Sequence, residues 1–217
     1  MKKKTLLTID WDYFIDAPRE VRDRIFPRIT EGFRDSIPDN SLWNTVKSRT
    51  HKFDMDAFER VYHAFRHCGQ ISNHIPLYAS ENHCEAYYIA KKMGAERVIN
   101  VDFHHDKGIA SRMSCDSWMR ILHEENPDIE YIWCKREDSV TTCFGAEVDC
   151  IYIDFDNIIH AIATASFDAV HLCRSDLYSP PVYDAMFGTL LKGIQESLNT
   201  HVIHVGNQSI EVRRKFI

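Results

Sequence analysis

Short apolar runs recur along the chain, bounded by Gly, Pro and polar residues, with helical spacing in most of the intervals between them. Residues 5–9, 75–79, 97–102, 129–134, 150–154, 169–173 and 201–205 have the length and apolar content of strands. Residues 55–67 place apolar or aromatic side chains at 58, 61, 62 and 65, a helical spacing, with Gly69 as the stop. Ser80 fits the N-cap of a helix over 81–93 that Gly94 ends. A shorter helix is predicted over 117–125, and Pro180-Pro181 opens another that reaches Leu198. Residues 16–53 are charged and broken by Pro18, Pro27 and Pro38, which predicts short helices and loops lying over the core as a lid. Strands alternating with helices predict an α/β fold, with a mostly parallel sheet covered by helices on both faces. No repeat or linker divides residues 1–217, so a single domain is expected.

Composition narrows the function classes. With 44% hydrophobic and 27% charged residues, the chain has an ordinary globular balance. A formal charge of −6 argues against nucleic acid as a partner, since that needs a cationic face. The seven cysteines are scattered without a Cys-x-x-Cys pair, which points to reduced core thiols and a cytoplasmic protein. The apolar run after Lys2-Lys3-Lys4 stops at Asp10, too soon for a secretory signal, and no segment is long enough to span a membrane. Nothing in the sequence sets an oligomeric state.

The chemistry gathers at strand ends. Asp102, His104 and Asp106 occupy alternate positions behind the run 97–101, so extended backbone would aim all three to one side. Asp10 and Asp12 repeat the pattern behind the first strand, and His83 falls in the first turn of the helix after the second. In parallel sheets the carboxyl ends of strands build the sites. Uncompensated carboxylates clustered there would cost several kcal/mol, and a divalent cation turns that repulsion into attraction. A competing pair, Asp154 and Asp156, follows the run Ile151-Tyr152-Ile153.

These residues resemble the arginase–deacetylase superfamily. The stretches Thr8-Ile9-Asp10-Trp11-Asp12-Tyr13-Phe14, Glu81-Asn82-His83, Val101-Asp102-Phe103-His104-His105-Asp106, Ser117-Trp118-Met119 and Arg174-Ser175-Asp176-Leu177-Tyr178-Ser179-Pro180 resemble more narrowly the arginase-related family that includes peptide arginases of ribosomal-peptide maturation. The order differs. Arginases place Asp-x-Asp after Asp-x-His-x-Asp, whereas here it comes first, as in a circular permutation. The competing pair, Asp154 and Asp156, keeps the order usual in arginases. The resemblance implies that Asp10, Asp12, His83, Asp102, His104 and Asp106 hold two Mn²⁺ ions. It also implies water addition to the guanidinium carbon of arginine in a precursor peptide, giving ornithine and urea. Six mainly oxygen ligands suit a hard ion such as Mn²⁺, and two dications would cancel the charge of four aspartates.

The remaining roles are weaker. His105 is a candidate proton shuttle, with Glu81 a further catalytic acid or base. A planar guanidinium calls for carboxylates outside the metal shell, and Asp116, Glu137 and Asp138 are the candidates beside Glu81. Trp118 is expected to anchor its helix, and Arg174 to order an acidic neighbour. The other histidines, His171 among them, show no ligand spacing and receive no role. Two alternatives stay open: a ureohydrolase or amidohydrolase for small molecules on the same scaffold, and a non-catalytic metal-binding module.

Overall fold

Alternation along strand β1 (Thr5–Asp10) decides which side chains serve which face of the sheet. Leu7 and Ile9 enter one apolar layer and Leu6 the other. Thr8 and Asp10 therefore share the face of Leu6. The same parity runs through the neighbouring strands and collects the polar residues on one side.

The computed structural model describes residues 2–18, 51–68, 75–108, 113–143, 145–175 and 179–206. After β1 come β2 (Ile15–Asp16), β3 (Lys52–Phe53), helix α1 (Met55–Cys68), β4 (Leu77–Ser80), α2 (Glu85–Met93), β5 (Arg97–Val101) and α3 (Trp118–Glu125). Then follow β6 (Glu130–Cys134), β7 (Thr142–Cys143), β8 (Ala146–Glu147), β9 (Ile151–Tyr152), α4 (Phe155–Ala163), β10 (Ala169–Cys173), α5 (Asp184–Ser197) and β11 (Val202–His204). Seven strands form one sheet in the order β11-β4-β10-β1-β5-β6-β9. Every pairing in it is parallel. Helices α1, α4 and α5 pack together over the Leu7 face, and α2 and α3 over the Leu6 face. The α/β architecture with helices on both faces is thus as expected. Among the described residues no helix is long and apolar enough to cross a membrane.

Several boundaries differ from the sequence reading. Helix α2 starts at Glu85 instead of 81, because Ser80 still pairs with Cys173 in the sheet and its hydroxyl donates to the Asn82 carbonyl. Residues 81–84 form a separate turn, so His83 precedes the helix. Pro181–Tyr183 make a 3-10 turn, and α5 begins only at Asp184. Within 150–154 just Ile151 and Tyr152 join the sheet, as an exposed edge, and a helix the sequence reading did not assign follows at once. The expected lid falls mostly on residues 19–50, which lie outside the described residues, as does Gly69. What is described of it is the short antiparallel pairing of β2 with β3.

Candidate metal centre

Asp10 ends β1, in register with Cys173 of β10, and is buried. The chain then winds into a 3-10 turn, Trp11–Phe14, capped by Asp10, whose Oδ1 accepts from Asp12 N at 3.3 Å. Trp11 and Phe14 lock this turn by packing among Phe53 and Phe58, with Phe187 against Trp11. Asp12 therefore reaches the site through a turn, not through strand alternation. Ser175, at φ 53, donates its hydroxyl to Asp10 Oδ2 at 3.1 Å.

The second segment also bends. Asp102 N donates to the Cys134 carbonyl at 3.2 Å, and the Trp133 indole N–H donates to the Asp102 carbonyl at 2.9 Å. Beyond that point the extended geometry expected over 102–106 is lost. His104 N folds back onto Asp102 Oδ1 at 2.8 Å, and Asp106 adopts φ 52, a left-handed conformation that Asp tolerates better than most residues. The Asp106 carbonyl accepts from Met119 N at the start of α3, and its Oδ2 accepts from the Trp118 indole at 2.6 Å. Trp118 thus anchors its helix in the core and also holds a carboxylate. The Asn100 amide lies between Asp102 Oδ2 (3.3 Å) and Asp106 Oδ2 (3.4 Å) and donates to Tyr131 Oη at 3.2 Å.

The turns bring together atoms from three segments. His83 Nδ1 lies 3.1 Å from Asp10 Oδ2, 3.1 Å from Asp102 Oδ2 and 3.0 Å from Asp106 Oδ2. That nitrogen is buried and makes no hydrogen bond among the described residues. His104 Nδ1 lies 3.0 Å from Asp12 Oδ2 and 3.7 Å from Asp102 Oδ1. Two groups of possible ligand atoms result, Asp10 with His83 and Asp102, and Asp12 with Asp102 and His104, each within 4.8 Å. Asp102 belongs to both, turning one oxygen to each histidine. Ligands at right angles around a cation with bonds of about 2.1 Å stand about 3.0 Å apart, which is the spacing around His83. The donor set of four carboxylates and two imidazoles fits a pair of hard dications.

Electrostatics of the metal-free cluster point the same way. Burial, and then the charge of Asp12, push the Asp10 carboxyl up to about 6. Burial and Asp102 raise Asp106 well above the carboxylate range. Burial opposes charge on His83, yet Asp10 and Asp106 hold it well above the usual imidazole value. His104 is raised likewise against its burial, mainly by Asp12 and Asp102. Asp102 alone is held well below its ordinary value, the imidazoles of His104 and His83 outweighing burial. Protons thus occupy the cluster where cations would neutralise it.

The other candidates lie around this centre or away from it. Glu81 is half-buried in the turn that carries His83. His105 Nδ1 accepts from Lys107 N at 2.9 Å, and burial followed by the charge of His104 lowers its pKa, so it presents only Nε2–H. Asp116 sits beside that segment, its carbonyl accepting from Gly108 N at 2.6 Å. Glu137 and Asp138 are exposed in the turn after β6, and Asp138 takes Arg136 Nε at 3.3 Å. Of the competing pair, Asp154 caps α4 through Asn157 N at 2.8 Å, and Asp156 is exposed beside Arg60. Arg174 donates from Nε to Asp184 Oδ1 at 2.7 Å, the acidic neighbour expected of it. Thr8, Ser80, Asn100, His171 and Ser175 support the ligands, a role the sequence reading gives none of them. Thr8 and Ser175 lie within the family-like stretches and Ser80 is expected as an N-cap, whereas only parity with Asp10 and Asp102 marks Asn100 and His171. No protein-family model, curated protein or solved structure matches this chain.

Proposed function

We propose that this chain is a manganese-dependent hydrolase of guanidinium C–N bonds, converting arginine side chains of a precursor peptide to ornithine with release of urea. One observation carries the two-metal reading: Asp102 is common to two carboxylate–imidazole groups, buried but for the partly exposed His104. Asp10, His83, Asp102 and Asp106 would hold the inner ion, and Asp12, Asp102 and His104 the outer one. A bound metal pair lowers the pKa of a water toward neutrality and polarises the electrophile. The His104 side chain is 25% exposed while the other ligands are buried, so substrate reaches the centre from the His104 side. Glu81 and Asp116 flank the ligand segments and are the carboxylates suited to a guanidinium fork. Asp138 is already engaged by Arg136. His105, whose Nδ1 is taken by the Lys107 amide, is left with Nε2–H as a hydrogen-bond donor.

The choice of arginine rests on the motif resemblance to the arginase-related family, with the Asp-x-Asp segment permuted to the front of the chain. All seven cysteines are free, in keeping with a reducing cytoplasm. The test is incubation of the purified chain with Mn²⁺ and arginine-containing peptides, followed by mass spectrometry. Arginine-to-ornithine conversion is the expected result. Hydrolysis of free arginine or agmatine with peptides left intact would move the substrate to small molecules. A metal-loaded protein that leaves every guanidine intact would end the arginase reading.

A further inference from the structure

We propose that Ser80, His171 and Thr8 form a buried positioning relay that dictates which ring nitrogen of His83 faces the cation. The inference rests on the metal-centre reading above and adds residues that bind no metal themselves. Ser80 has one hydroxyl hydrogen, and it goes to the Asn82 carbonyl at 2.9 Å, a group that only accepts. The 2.8 Å contact between Ser80 Oγ and His171 Nε2 then has one polarity, with Nε2–H donating. A neutral ring with its hydrogen on Nε2 has its lone pair on Nδ1, which lies 3.0 Å from Thr8 Oγ1. Thr8 gives its single hydrogen there. Its oxygen is left with lone pairs for His83 Nε2 at 2.8 Å, so that nitrogen must carry hydrogen and donate. In the neutral ring that a cation requires, Nδ1 is then the bare nitrogen, in the midst of Asp10, Asp102 and Asp106.

Each step follows from the one before, and the sequence of donors begins at a backbone carbonyl that cannot reverse. The sheet enforces the spacing: Thr8 is the register partner of His171, and Ser80 that of Cys173. All four side chains are buried, so no bulk water substitutes for a missing member. Partners of this kind orient a ligating imidazole and raise its basicity, and losing one weakens metal binding by about 10–100-fold.

Thr8→Val keeps the shape and deletes the hydroxyl, whereas Thr8→Ser keeps the hydroxyl. Mn²⁺ affinity by isothermal titration should fall about tenfold or more in Thr8→Val and stay within about threefold of the parent in Thr8→Ser. Circular dichroism establishes that both variants fold. Histidine ¹⁵N spectra of the unmutated, metal-free protein give a reading that needs no variant: His171 should carry its hydrogen on Nε2. Hydrogen on His171 Nδ1, or a folded Thr8→Val chain that binds Mn²⁺ like the parent, overturns the relay while leaving the metal centre standing. A parent chain that binds no Mn²⁺ removes the centre itself, and the relay with it.

Discussion

Replacing Asp102 with alanine removes the carboxylate common to both groups of ligand atoms, whereas His104→Ala strips only the outer group. Metal analysis of the purified variants should therefore find neither cation retained in Asp102→Ala and one retained in His104→Ala. An Asp102→Ala chain that still carries two ions would show that the groups are independent. His104 is the safer of the two for folding, because its side chain is partly exposed and Asp102 is buried. Residue spacing made this candidate cluster legible, since Asp-x-His-x-Asp and Asp-x-Asp behind neighbouring parallel strands bring several ligand types to one sheet edge. The reason for convergence was not legible. Extended backbone was expected, but a 3-10 turn aims Asp12 and a left-handed residue aims Asp106. His171 stayed hidden for a related reason: a single histidine in Ala169–Cys173 looks like a packed core residue until its neighbours across the sheet are known.

At the scale of elements, α5 crosses α1 at close range. A Cβ on Gly193 would stand 2.3 Å from Tyr62 Cε2, and Tyr62 is itself stacked on Phe58. Forcing a methyl into such a contact costs about 1–3 kcal/mol, against a gain of about 1 kcal/mol in helix propensity. Gly193→Ala should thus lower unfolding free energy by up to about 2 kcal/mol in urea titration, and the same change in a Tyr62→Ala background should be neutral or stabilising. A stabilised single variant would mean that the helices approach less closely. The sequence pattern placed every strand of the central sheet, because apolar runs between turn residues have few other uses. It missed α4. There the run Asp154-Phe155-Asp156 looks like a strand end with two ligands, yet Asp154 is an N-cap, Asp156 a first-turn acid, and Ile158 and Ile162 the buried stripe. Both readings use the same residues, and the spacing of the isoleucines decides between them.

For the whole molecule, metal binding at the proposed centre would be coupled to stability and to pH. The Asp10 carboxyl, near 6 when folded, lies above the value of about 3.9 that it has in an unfolded chain. At this group the metal-free folded state then holds more protons than the unfolded state between about pH 4 and 6, and its contribution to stability falls as pH rises through that window. Asp106 shifts in the same direction. The raised His83 and His104 contribute fully below the unfolded imidazole value and lose that contribution as pH climbs through their folded values. Asp102 opposes them, but its contribution is lost only as pH falls through a depressed pKa, outside the neutral range. The lowered His171 and His105 act in the opposite sense below about pH 6.5, so metal-free stability should decline as pH climbs above that value, while cations, which compete with the protons of the cluster, bind more tightly as pH rises. Because a ligand specific to the folded state stabilises by RT ln(1 + [L]/Kd), the melting-temperature gap between Mn²⁺-loaded and chelator-treated protein should widen steadily with pH. Differential scanning fluorimetry at fixed Mn²⁺ reads that gap directly. A gap that stays flat or narrows would mean that the protons and the metal do not share these carboxylates and imidazoles, and that the cation sits elsewhere.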